Sequence, residues 1–183
     1  MKSNKRIAVA TICATLTLRA GMSATATAIE DATPTPAPIL STDISGRDLA
    51  FLTDAAHQMA LLAKISGMAS KQAVTPEVQT EAATVAKEQT DAMTALQKIA
   101  DGFHVPLDTE LYDDDIKLVK ALEAEKGLKF DKSYLDAQAD ADQALEASLT
   151  AGAASSDSGI KAFSQSGLAT LKAEQDRVRK LGF

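Results

Sequence analysis

Three polar residues stand where the surrounding pattern calls for apolar ones. Gln89 falls on a helical stripe with Val85, Ala92 and Leu96. Asp142 shares a stripe with Leu135, Leu145 and Leu149, and Gln138 lies on it too. Glu174 sits between Leu171 and Val178. Side chains converging at one level from facing helices are the way bundles build cofactor and metal sites. Oxygen donors of this kind suit a hard cation such as calcium, magnesium or manganese rather than zinc or copper. A buried carboxyl needs a partner, a proton or a cation. Gln89, Asp142 and Glu174 are therefore candidate metal ligands, and a small buried hydrogen-bond network is the simpler expectation for them.

Other residues with chemical potential lead to little. The two histidines occur as Asp54-x-x-His57 and Asp101-x-x-His104. At 100° per residue, Asp54 and His57 lie roughly 150–200° from their helix's apolar stripe, and His104 follows a glycine stop at Gly102. Both histidines are expected on the surface. Cys13 is the only cysteine, and it falls in the N-terminal segment expected to be removed. That excludes disulfides, thiolate metal sites and cysteine nucleophiles from the mature chain. There is no glycine-rich phosphate loop, no Gly-x-Ser-x-Gly elbow and no plausible Ser-His-Asp set. Asp113-Asp114-Asp115 reads as a helix N-terminus favoured by the macrodipole, and Met59 and Met68 as core fillers. No catalytic residue and no cofactor is expected.

The elements that would carry these residues are all helical. Ser45 to Asp48 resembles a capping box, followed by Leu49, Leu52, Ala56, Met59, Leu62, Ile65 and Ala69 at steps of three and four. Thr75-Pro76 opens a second helix with a cap and a proline at its first position; its stripe begins at Val78 and Ala82 and the helix closes at Gly102. A shorter helix is expected over residues 113–126, with Ile116, Val119 and Leu122 inward and Gly127 as its stop. Asp131 caps the fourth helix, residues 152–159 form a loop, and the last helix carries Ile160, Phe163, Leu171 and Val178. No useful stretch alternates with period two, so no strand is expected. The expected fold is an all-α, up-and-down four-helix bundle with one additional short helix, joined by short loops.

Composition agrees with this class. Aromatics make up 4% of the chain and tryptophan is absent, so the core must come from aliphatic residues, Met and Ala, the best helix former. Lys2, Lys5 and Arg6, an apolar run over residues 7–18 and Ala26-Thr27-Ala28 have the order of a secretory signal peptide cleaved after Ala28; cleavage after Ala26 would serve as well. The apolar run is shorter than the roughly 20 residues a membrane span needs, and Ile12 before Cys13 argues against lipidation. Residues 29–44, with Pro34, Pro36 and Pro38, are expected to form a disordered or polyproline-like leader, and residues 45–183 the helical domain. Removing residues 1–28 takes the formal net charge from −6 to −10. Such a surface repels nucleic acid and anionic lipid. The expected setting is the periplasm or the medium, with an envelope partner possible and the oligomeric state open.

At these residues the sequence resembles a bacterial envelope family, domain of unknown function 4142, whose members are ferritin-like. The resemblance rests on Phe51-Leu52-Thr53-Asp54-Ala55-Ala56, on residues 86–100 and the turn at 102–106, on Phe130-Asp131-Lys132-Ser133-Tyr134-Leu135-Asp136, and on residues 159–181. It covers roughly residues 49–182 and implies a ferritin-like bundle. It also implies a Glu at the position of Leu62, an Asp-His pair at Glu88-Gln89, and histidines at Asp142 and Glu174. Every one of those histidines is replaced here. The resemblance therefore implies inherited architecture with metal chemistry lost or altered: a non-catalytic structural or binding module. The alternative is a ferritin-like protein holding manganese, iron or calcium through Gln89, Asp142 and Glu174.

Overall fold

A computed structural model describes residues 43–181. The expected signal peptide, its cleavage site and most of the Pro/Thr-rich leader lie outside the described residues. The described chain forms five helices and, among those residues, no strand. None of these helices is long and apolar enough to cross a membrane.

Helix α1 (Gly46–Gln72) begins as its capping pattern requires: the Asp48 amide donates to Ser45 Oγ at 3.1 Å. The Ser45 hydroxyl in turn donates to the Asp48 carboxylate at 2.7 Å. Leu52, Ala56, Met59, Leu62, Ile65 and Ala69 are buried along its stripe. Leu49, expected to point inward, is 41% exposed because it sits in the first turn, beyond the edge of the core.

Helix α2 (Pro76–Gly102) has proline at its first position, but Thr75 makes no side-chain cap. The free N–H groups at this helix start are instead taken by Asp131, whose carboxylate accepts from Val74 N at 3.0 Å and Thr75 N at 2.9 Å. Asp131 was expected to cap its own helix. It lies inside that helix and caps another one across the structure, because orphan amide donors at a helix start need an acceptor from somewhere.

After α2 the chain turns through His104, which has the left-handed φ of 57°, and runs without regular structure to α3 (Asp113–Ala124). Val119 and Leu122 are buried there, whereas Ile116 is 39% exposed, contrary to expectation. α3 covers the long helices with one short face, and Ile116 lies off it. Gly127, with φ +66°, starts α4 (Gly127–Ala153) rather than merely stopping α3.

α4 also runs further than expected, taking in Gly152. A Cβ at that position would lie 2.3 Å from Ser164 Oγ and 2.6 Å from the Phe51 ring. The glycine is there for close approach of helices, not for a loop. Asp157 caps α5 (Ser158–Arg179) through Ile160 N at 2.8 Å.

Contacts between the ends fix the directions. Gln72, at the end of α1, donates to the Leu122 and Glu125 carbonyls at the end of α3. Asp131 in the first turns of α4 meets the start of α2, and Gly152 near the end of α4 meets Phe51 near the start of α1. Arg177 at the end of α5 meets Glu81 near the start of α2. Successive helices thus alternate in direction. Of the long helices, α1 packs on α2 and α4, α4 packs on α5, and α2 meets α5 more loosely than these. The link from α2 to α4 is the departure from short loops: it holds an extended stretch and all of α3.

Candidate functional site

The three residues singled out by periodicity are all buried. Glu174 on α5 is the centre of a polar level. Its Oε1 accepts from Gln138 Nε2 of α4 at 2.6 Å, and its Oε2 from Gln89 Nε2 of α2 at 3.5 Å. One carboxyl therefore ties three helices. Asp142, one turn after Gln138 on α4, completes the level, but its Oδ1 and the Gln138 Oε1 are buried without a hydrogen-bond partner. Gln138 is a member that the sequence reading left out of the site. Its place on the Asp142 stripe was the signal for it.

Burial raises both acids. It pushes Asp142 up to about 8, helped by the charges of Glu174, Glu81 and Glu146. It pushes Glu174 up to about 7, against the stabilising hydrogen bond from Gln138. Burial likewise raises the phenol of Tyr134, whose hydroxyl donates to Ser66 Oγ at 3.1 Å. At the edge of the level, Arg177 Nε reaches Glu81 at 2.9 and 3.0 Å and Arg177 Nη2 reaches Glu88 at 2.8 Å. One guanidinium thus serves two carboxylates, and no cation faces Asp142 and Glu174 directly among these contacts.

As drawn, the level fits a metal poorly. Both glutamines turn their amide N–H groups toward Glu174, and a cation needs oxygens there. Among the described residues, no three His, Cys, Asp or Glu side chains gather as metal ligands. What the arrangement can do is keep protons on carboxyls that burial makes weaker acids.

Over residues 33–181 the chain matches the family model described as Domain of unknown function (DUF4142). The chain belongs to this family. No curated protein and no solved structure matches it.

In this DUF4142 chain the positions where the resemblance implied polar ligands now have places. Leu62 is fully buried apolar core on α1. Glu88 has turned outward to Arg177, and Gln89, Asp142 and Glu174 form the polar level. The level is built of amides and carboxyls, with no imidazole in it.

The histidines require a correction. His104 and Asp54 are exposed as expected. His57 is not: it is 5% exposed, its Nε2 is 2.7 Å from Asp115 Oδ2, and its ring stacks on Tyr112 with centroids 3.7 Å apart. It does point away from the α1 stripe, but the chain before α3 and the first turn of α3 cover that face. A single helix's periodicity cannot show a cover supplied from 55 or more residues away. Asp115, read as a macrodipole residue, is at the same time the partner of His57.

Proposed function

We propose that this DUF4142 protein is a non-catalytic, ferritin-like four-helix module of the cell envelope, exported through a cleaved N-terminal signal and acting as a structural or binding unit. Support for the ferritin-like arrangement comes from direction. The four long helices are each antiparallel to their neighbours, and α3 with its extended lead makes the one long return between α2 and α4, as in ferritin-like bundles with a single crossover. The observation that carries the non-catalytic reading is Glu174, both of whose oxygens are occupied by glutamine amides from two other helices. Such a network specifies how helices register against one another and ties up its central carboxyl.

Metal analysis of the mature protein, purified without chelators, tests this reading. The expected result is no stoichiometric metal and a melting temperature indifferent to added manganese, iron or calcium. A stoichiometric cation that disappears in Asp142→Ala would overturn it. Export is tested by N-terminal sequencing of the protein from the periplasmic fraction, expected to begin at Ile29.

One observation favours a second reading, a hard-cation site for manganese, iron or calcium at Gln89, Asp142 and Glu174. The two partnerless acceptors, Asp142 Oδ1 and Gln138 Oε1, are oxygens one turn apart on α4. Rotation of the amides would turn further oxygens toward a cation.

A further inference from the structure

The contact between α2 and α5, looser than those of α1 with α2 and α4 and of α4 with α5, opens into a cavity. Between α2 and α5 lies a space of about 360 Å³, at the compact end of the roughly 300–1,000 Å³ of small-molecule sites. It does not stay at the surface. Met59 of α1, Leu145 and Leu149 of α4 and Leu171 of α5 form its walls, and all four are buried core residues. Ala92 on α2 and Phe163 on α5 complete the apolar part. A molecule seated there would touch all four long helices.

The charged groups of the cavity are of one kind, beside the neutral Gln89, Ser166 and Thr170. Glu88, Gln89 and Asp91 line it on the α2 side, and no lysine or arginine is among the lining residues. Gln89 spends an N–H on Glu174 and keeps its carbonyl oxygen as an acceptor. Thr170, also in the lining, donates its hydroxyl to the Ser166 carbonyl. The charges nearby are acidic in balance. Glu88 shares Arg177 with Glu81, and Asp91 has only the exposed Lys87. The three carboxylates thus outnumber the two cations. A carboxylate or phosphate head would meet acceptors and like charge here. An ammonium would meet both acceptors and opposite charge.

We propose that the cavity between α2 and α5 binds a cationic amphiphile, an organic amine whose apolar body lies against Met59, Leu145, Leu149, Phe163 and Leu171 and whose ammonium sits at Glu88, Gln89 and Asp91. The site adds a ligand class to the module proposed above and rests on that reading, since Gln89 keeps its carbonyl for the cavity only while no cation at the Asp142–Glu174 level takes it. Burial of the body supplies affinity, and the acceptor-rich end selects the head.

The test is isothermal titration of the purified mature protein, at neutral pH and below micellar concentrations, with decylamine, decanol and decanoate. Decylamine is expected to bind one saturable site, with decanoate about tenfold weaker or worse and decanol between them. Ala92→Phe fills the cavity and is expected to abolish decylamine binding with an unchanged helical spectrum. Asp91→Asn, a substitution at an exposed side chain, is expected to weaken decylamine and leave decanol unaffected. Absence of saturable decylamine binding, equal binding of the three headgroups, or undiminished selectivity in Asp91→Asn each overturns the proposal.

Discussion

Asp142 and Glu174 keep their protons to pH values at which exposed carboxyls have long lost them. An acid whose pKa is higher folded than unfolded is neutral in both states at low pH and costs the fold nothing there. As pH rises past the unfolded pKa the cost grows, and it is complete above the folded pKa. For a pair at about 8 and about 7, stability is greatest in mild acid and falls through neutrality to about pH 9. The coupled pair would account for several kcal/mol, on the order of 1.4 kcal/mol per pKa unit. Thermal melts from pH 5 to 9 should show the melting temperature falling with pH, and Asp142→Asn, which keeps the shape without the charge, should flatten that fall. A melting temperature that climbs over this range would show that the level is not a store of protons.

Two residues join elements distant in sequence, and each predicts the behaviour of a whole helix. Asp131 holds the start of α2 from inside α4. Asp131→Ala should cost about 1–2 kcal/mol in chemical denaturation, as lost helix caps do, with hydrogen exchange rising at the first turn of α2. His57 and Asp115 hold the short α3 onto α1. His57→Ala should speed exchange across residues 113–124 while leaving α2 and α4 protected, since α3 has few other buried residues than Val119 and Leu122. Close approach sets a third limit. Gly152→Ala drives a methyl into Ser164 and Phe51, so it should destabilise by about 1–3 kcal/mol as overpacking does, with the loss measured in denaturant midpoints.

At the scale of the molecule, the long helices form the stable part and the return between α2 and α4 the accessible part. Residues 108–110 lie in that return, outside any helix, and are exposed. Within residues 43–181, native-state digestion with a glutamate-specific protease should therefore cut first after Glu110, because proteases need an exposed, extended chain. First cuts inside α2 or α4 would contradict this picture of the return. The same architecture leaves α2 and α5 without a tight seam, since α1 and α4 carry the closest packing. That seam is where the candidate ligand cavity opens.

The sequence by itself determined the class of fold, the helix cap at Ser45, and three of the four residues of the polar level. These follow from local rules: a 3.6-residue period shows which face is apolar, and a polar residue on that face must be buried with it. It also determined family membership, through the order and spacing of weak motifs along the chain. Tertiary structure alone decided what those residues meet. That Asp131 caps α2, that Asp115 covers His57, that Gly152 admits Phe51, and that Gln138 and Gln89 both bind Glu174 are facts about segments brought together from far apart. Helical periodicity is a property of one helix, and none of these contacts lies within one.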